Sequence, residues 1–216
     1  MAKITKAKQL TDRDKSILTD LARCRVLSSS QIKNAYWPEA KERTCLERLE
    51  RLQKAGFVKV QTIPGEKAGR YLKVFCLDDK GKKWATGPEC GFDRKTIFVH
   101  PGKSNEILHQ VRTNSVYYRL SSNERATYKI GDVIEIERKV YKGGGGVEIP
   151  DAAFVNDEGD EVYVEADTGS YTGRQVKQKV SSFGGKRTIW VCPAGRKGFL
   201  ARHGAEGEFF TYSTAS

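Results

Sequence analysis

IPDAAFVNDEGDEVYVEADTG, residues 149–169, contains two runs of alternating side chains on either side of a polar turn. Because successive side chains of a strand point to opposite faces, the two runs predict a pair of antiparallel strands. The intervening NDEGD, residues 156–160, has the length and composition of a hairpin loop centred on Glu158. Symmetric pairing about that residue sets Asp151 opposite Glu165. The stretch therefore predicts a hairpin with two acids side by side, in a chain of formal net charge +11.

Two opposed acids require compensation, because directly paired residues have Cβ atoms about 4.5–5.5 Å apart and like charges there are destabilising. A cation, a basic side chain or a retained proton would each compensate Asp151 and Glu165. A divalent metal is one solution: these two carboxylates, with a backbone carbonyl and waters, suit Mg²⁺ or Mn²⁺, and the metal could activate water against a phosphodiester. The structural alternative is that Glu165 and Asp167 only pair with Lys177 or Lys179.

The second half of the chain around this hairpin predicts an α-β-β-β-α-β order. A helix runs from Ser104 to about Leu120, and GDVIEIERKVY (residues 131–141) alternates like a strand. KGGGG (residues 142–146) reads as a flexible break before the hairpin. After the hairpin come a helix with an apolar stripe, ended by Gly-Gly, and the strand RTIWVCPA (residues 187–194).

The first half predicts three helices followed by a hairpin. Thr11 can cap the first helix together with Asp14, and one of Ser28–Ser30 can cap the second. The third lies in PEAKERTCLERLERLQKAG (residues 38–56), and FVKVQTI and RYLKVFCLD then form two strands. This order is typical of a winged helix-turn-helix. We therefore predict an α+β chain with a winged helix-turn-helix in residues 1–85, a linker in 86–103, and an α/β domain in 104–216.

Charge is unevenly distributed between these parts. The first 85 residues hold 20 Lys and Arg against 10 Asp and Glu, and the remaining residues hold 18 against 17. An anion-binding module is therefore predicted in the first part. The five cysteines have no C-x-x-C spacing and are typical of a reduced cytosol. With no apolar run of 18 residues and no signal sequence, we expect a cytoplasmic protein without a membrane partner.

In a helix-turn-helix, the second motif helix lies in the major groove of DNA. With Leu46, Leu49 and Leu52 facing inward, the basic and hydroxyl side chains of the third helix are expected to face outward, where they can contact base edges or phosphates. The hairpin adds cations suited to the DNA backbone. The alternative is an ordinary solvated helix, or a module for protein docking or dimerisation. The expected DNA-binding residues are Lys41, Arg43, Thr44, Arg48, Arg51, Lys67 and Arg70, with Lys59 and Lys73 beside them.

Several segments together resemble the plasmid replication-relaxation protein family. They are LTDRDKSIL and RLERLQKAGFV in the first half, and PDAAFV, VEADTGS and KVSSF in the second. The resemblance implies a winged helix joined to a PD-(D/E)xK, restriction-endonuclease-like domain. In that pattern Asp151 and Glu165 would be the metal-binding acids, while the position of the catalytic lysine is taken by Asp167. A lysine from the following helix would replace it, Lys179 rather than Lys177.

The resemblance also implies a further acid, for which Glu106 and Glu135 are candidates, and a role in a plasmid, phage or other mobile element. We expect a protein that binds double-stranded DNA in replication, transfer or their control, with an inactive nuclease-like domain. One alternative is a Mg²⁺- or Mn²⁺-dependent endonuclease using Asp151, Glu165 and Lys179. Another is a repressor that dimerises through its second domain. A further alternative is that Tyr171 acts as a nucleophile in DNA nicking. A homodimer, or replication or relaxase proteins of the same element, are the partners implied.

Overall fold

A computed structural model describes residues 7, 9–65, 69–140 and 148–212. The chain divides into two compact units, Met1–Val111 and Arg112–Ser216. Both contain helices and a sheet, which agrees with the predicted α+β class. Among the described residues, no helix is long and apolar enough to cross a membrane.

The first unit consists of helices packed on a small sheet. Its sheet has the order β1-β3-β2, with every pair antiparallel. Its elements are α1 (Asp12–Cys24), β1 (Leu27–Ser28), α2 (Ser29–Tyr36), α3 (Glu42–Lys54), β2 (Val58–Pro64), β3 (Tyr71–Leu77), α4 (Asp79–Ala85), a 3-10 turn (Arg94–Thr96) and α5 (Ser104–Thr113), whose end crosses into the second unit.

The helix starts of the first unit follow the sequence signals. The Thr11 hydroxyl accepts the Asp14 backbone N–H, and the Asp14 carboxylate accepts the Thr11 N–H at 2.7 Å, so the predicted capping box of α1 is confirmed. Ser28 is the serine that caps α2, in a second box with Gln31. The buried stripe of α3 is Cys45, Leu49 and Leu52, whereas Leu46 is only half-buried. Leu46 therefore borders the core instead of forming part of it.

The residues after the hairpin belong to the first unit. Ile97 is buried, and its carbonyl accepts the ammonium of Lys82 at 2.7 Å. Ile107 and Val111 of α5 pack in one apolar cluster with Val26, Ile63 and Val74. The compact units therefore divide at residue 112, and the segment 86–103, expected as a linker, contributes to the packing of the first unit.

The second unit is built on a mixed sheet of order β4-β5-β6-β7-β8. The neighbours from β4 to β6 run antiparallel, and those from β6 to β8 run parallel. The elements are a 3-10 turn (Tyr117–Arg119), α6 (Ser122–Thr127), β4 (Lys129–Ile130), α7 (Gly131–Arg138), β5 (Ala152–Val155), β6 (Glu161–Ala166), α8 (Gly173–Phe183), β7 (Thr188–Pro193), a 3-10 turn (Ala194–Arg196), α9 (Lys197–Arg202) and β8 (Glu208–Tyr212).

Several features depart from the expected order of elements. The helix expected from Ser104 to about Leu120 ends at Thr113, and α6, β4 and α9 were not expected. Residues 131–138, expected as part of a strand, form helix α7, which ends at Lys139 in the left-handed region with φ 54°. Strand alternation would put Ile134 and Ile136 on one face, yet Ile134 is buried and Ile136 is 40% exposed. Strand β8 was not expected; it lies parallel to β7 after the short α9. The expected glycine-rich break at residues 142–146 lies outside the described residues.

Candidate functional site

The predicted carboxylate hairpin is confirmed in its register. Val155 pairs with Glu161 and Ala152 with Val164, which is symmetric pairing about Glu158. One step further along the same register, Asp151 comes level with Glu165, just before β5 begins. The Asp151 carboxylate accepts the Ala166 backbone N–H at 2.9 Å, which holds it against β6.

Glu165 lies at the centre of the candidate site. Its side chain is fully buried, and the ammonium of Lys179 lies 2.7 Å from its Oε1 atom. The hydroxyl of Tyr171 donates to the same oxygen at 2.5 Å. Lys179 also lies 3.5 Å from Oε2 of Glu148. The compensation for the paired acids is therefore a basic side chain, one of the three solutions that the sequence left open.

Helix α8 brings this lysine to the sheet. A Thr172–Gln175 capping box starts the helix, and Val176 and Phe183 form its buried stripe. Lys179 follows Val176 by three positions and precedes Phe183 by four, so it shares their side of the helix. Its side chain is 14% exposed, whereas Lys177 faces solvent. Of the two lysines considered, only Lys179 reaches Glu165.

Burial and charge shift the proton affinities within this cluster. Burial, reinforced by the negative charge of Asp151, raises the pKa of Glu165 to about 7, although Lys179 and Tyr171 act in the opposite direction. Burial lowers the pKa of Lys179, but the charges of Glu165 and Asp151 outweigh it and raise that pKa above its ordinary value. Burial and the Glu165 carboxylate raise the pKa of Tyr171 far above normal. Its phenol therefore keeps its proton, which it donates to Glu165.

Asp167 is held away from this cluster by other partners. It is fully buried, and Nε of Arg196 donates to its Oδ2 at 2.8 Å. Its Oδ1 accepts the backbone N–H groups of Gly169 at 2.8 Å and Tyr171 at 3.2 Å. The hypothesis that Asp167 pairs with Lys177 or Lys179 is therefore wrong. Asp167 therefore fixes the loop that presents Tyr171. Arg196 was not predicted as its partner, because it lies 29 residues downstream with no motif around it.

The arrangement is a poor fit to a divalent metal. Within the part of the chain that the structure describes, no three His, Cys, Asp or Glu side chains converge as ligands. A second cation beside Glu165 would be repelled by the Lys179 ammonium, which already occupies its Oε1. The Oε2 atom of Glu165 is buried and has no hydrogen-bond partner within the described residues.

Two further acids were candidates for this site. Glu106 is exposed on α5 within the first unit, and its carboxylate accepts the backbone N–H of Lys103 at 3.2 Å. Glu135 lies on helix α7, where a strand was expected. The contacts around Glu165 bring together Asp151 from the hairpin, Tyr171 from the loop, and Lys179 from α8.

The expected DNA-binding residues of the first unit fall into three groups. Arg48 differs from the expectation that it faces outward. Its guanidinium forms a bidentate ion pair with Asp14, whose side chain is fully buried, so Arg48 is turned toward α1. The expectation failed because the capping carboxylate of α1, once buried, requires a cation from α3. Lys67 lies outside the described residues. The exposed positions are Lys41, Arg43, Thr44, Arg51, Arg70 and Lys73.

Two of the basic side chains also have partners at the surface. Arg43 makes an exposed pair with Glu47 at 2.7 Å, one helical turn away. Lys59 pairs with Asp78 at 3.2 Å, and this hydrogen bond raises the pKa of the lysine. Such exposed pairs exchange readily with water, so they leave these cations accessible to a polyanion.

Residues 18–184 match the family model described as replication-relaxation. The chain belongs to the replication-relaxation family. The match begins within α1 and ends at the residue after α8, so it extends over both compact units and includes the Glu165–Lys179 pair. No curated protein and no solved structure matches the chain significantly. Membership of this family indicates a role in the replication or relaxation of a mobile element.

Proposed function

We propose that the chain is a double-stranded DNA-binding protein of a plasmid, phage or other mobile element, acting in replication, transfer or their control. The first unit acts as a winged helix-turn-helix, with α3 in the major groove and the β2–β3 hairpin as the wing. The second unit is a nuclease-like domain that does not cut DNA and is available for dimerisation or for binding a replication or relaxase protein.

The exposed cations of α3 carry the DNA-binding proposal. Thr44 and Arg51 lie seven positions apart and share one side of α3, beside the buried stripe of Cys45, Leu49 and Leu52, and Lys41 is exposed at the N-cap. This surface lies in the part of the chain that carries almost all of the net charge. A basic helix face on a compact unit suits the phosphate backbone and base edges of DNA.

Replacing Lys41 and Arg51 together with alanine is expected to weaken duplex binding by roughly 10- to 100-fold and to reduce the salt dependence of binding by about two counterions. Fluorescence anisotropy of a labelled duplex at several salt concentrations measures both quantities. The matched control removes the same charge from the second unit, at the exposed Arg174 and Lys177 of α8. If the control variant lost as much affinity, the DNA surface would not be on α3.

The closed carboxylate cluster carries the proposal of an inactive nuclease-like domain. Glu165 is fully buried, and its Oε1 atom already accepts the Tyr171 hydroxyl and pairs with the Lys179 ammonium. A hydrolytic site has to place its acids against a phosphodiester and a water molecule. Carboxylates that are enclosed and neutralised from within are unsuited to that task.

Supercoiled plasmid incubated with the protein and Mg²⁺, Mn²⁺ or EDTA tests the absence of cleavage. We expect a gel shift in all three conditions that protease treatment reverses, leaving supercoiled DNA. Nicked or linear DNA that requires metal and is absent with Glu165→Ala would instead establish an endonuclease using Asp151, Glu165 and Lys179. Cleavage that persists in Glu165→Ala would indicate a contaminating nuclease.

A further inference from the structure

The distal half of the β2–β3 hairpin has one buried and one open face. Ile63 and Val74 point into the apolar cluster of the first unit, together with Val26. On the other face, the register pairs Pro64 with Tyr71 and Thr62 with Lys73. All four of these outward residues are exposed. The end of the hairpin therefore presents an aromatic ring and a cation on the same side.

Tyr71 is the most exposed large hydrophobic residue that the structure describes, with 74% of the residue's surface accessible to solvent. It stands at the first position of β3, so the strand fixes its backbone while the ring extends into solvent. A rigid aromatic side chain has few rotatable bonds and loses little entropy when it is covered. Such a ring is suited to stack on another flat surface.

The charges around the ring favour a nucleic acid as that surface. Arg70 precedes the tyrosine and is exposed, and Lys73 lies two positions along the same face of the strand. A ring with a cation on the same face suits a base attached to its phosphate backbone, because the base stacks while the phosphates are neutralised. The excess of positive charge in this part of the chain favours a polyanion over a neutral protein surface.

We propose that Tyr71 is a base-stacking residue, which binds an unstacked base where the DNA duplex is open. This inference rests on the DNA binding proposed for the first unit. Within a continuous duplex both faces of each base are covered by its neighbours, and inserting a side chain costs about a few kcal/mol of unstacking, so a ring stacks most readily where the helix is interrupted or separated. The wing would thereby distinguish opened DNA, such as a melted replication start, from closed duplex.

Two closed DNA dumbbells test this proposal: one is fully paired, and the other differs only by a short internal run of mismatches that forms a bubble carrying 2-aminopurine. Closed ends remove the terminal base pairs on which a ring could also stack. The variants are Tyr71→Ala, Tyr71→Trp, which keeps an aromatic face, and Tyr71→Leu, which keeps apolar area without one. Ile136→Ala in the second unit, another exposed apolar residue, is the matched control.

Wild type and Tyr71→Trp are expected to bind the bubble more tightly than the paired dumbbell and to change the 2-aminopurine fluorescence. Tyr71→Ala and Tyr71→Leu are expected to lose about tenfold in affinity for the bubble, since stacking on one base contributes on that scale. They should bind the paired dumbbell like wild type.

Equal losses on both dumbbells, or no loss on the bubble, would overturn the stacking role while leaving duplex binding intact. Tyr71→Leu behaving like wild type would show that the residue acts through apolar area alone and would also overturn it. If wild type binds neither dumbbell, both the DNA-binding proposal and this inference fail.

Discussion

Replacing Lys179 with methionine is expected to lower the free energy of unfolding of the second unit by about 1–2 kcal/mol at about pH 8. The substitution removes the ammonium that lies 2.7 Å from Glu165 and leaves a fully buried carboxylate facing the charge of Asp151. Methionine keeps most of the aliphatic length of lysine, so the loss reports the charge rather than a cavity. Hydrogen exchange of the β6 amides under increasing urea measures this unit by itself.

The loss should depend on pH in a direction that the pKa values determine. Burial raises the folded-state pKa of Glu165 to about 7 from its ordinary 4.5. A raised folded pKa means that the contribution of Glu165 to stability is fully present below about 4.5 and is lost as the pH rises through about 7. Without Lys179 that pKa rises further, so the loss of stability continues to higher pH. The difference between variant and wild type should therefore be small at about pH 5 and large at about pH 8.

Two further variants separate charge from packing. Lys177→Met, two residues away on the exposed side of α8, should change the free energy of unfolding by less than about 0.5 kcal/mol. Adding Glu165→Gln to Lys179→Met removes the stranded carboxylate and should restore most of the lost stability at about pH 8. A Lys179→Met variant as stable as wild type at that pH would show that Glu165 is not paired with this lysine.

The hairpin at the candidate site could be predicted from the sequence because its information is local. Alternation sets the two faces, and the five-residue loop sets the register, so the opposition of Asp151 and Glu165 followed from counting residues. The helix that supplies Lys179 was also predictable from its apolar stripe and Gly-Gly stop. The strands and capping boxes of the first unit are local in the same sense.

The partners of the buried acids could not be predicted, because they come from residues far apart in the chain. Arg196 reaches Asp167 from the turn after β7, and Arg48 reaches Asp14 from α3 to α1. An amphipathic pattern shows which side of a helix is buried but does not tell whether a cation beside that stripe is turned toward solvent or toward a buried acid. The strand prediction for residues 131–138 was wrong for a related reason, since so short an alternating run suits a strand and a helix equally well.

Replacing Arg48 with methionine is expected to lower the free energy of unfolding of the first unit by about 3 kcal/mol at neutral pH. The guanidinium makes two hydrogen bonds to the fully buried Asp14 and donates to the Gln9 carbonyl at 3.2 Å. Burial by itself would raise the pKa of Asp14, but the hydrogen bonds from Arg48 and Thr11 lower it below its ordinary value. Hydrogen exchange of α1 under increasing urea measures the loss.

The Arg48–Asp14 pair makes the stability of the first unit depend on pH with the opposite sign to the effect at Glu165. A lowered folded pKa means that the stability from Asp14 is present above its ordinary value of 3.8 and is lost as the pH falls through the folded value. The difference between Arg48→Met and wild type should therefore be largest at neutral pH and should shrink in acid. Arg43→Met is the matched control, because its guanidinium makes only an exposed pair with Glu47 on the same helix and should contribute less than about 0.5 kcal/mol. A folded Arg48→Met variant with full stability and weakened DNA binding would return Arg48 to the DNA surface. Loss of stability with duplex affinity retained would place its role inside the first unit.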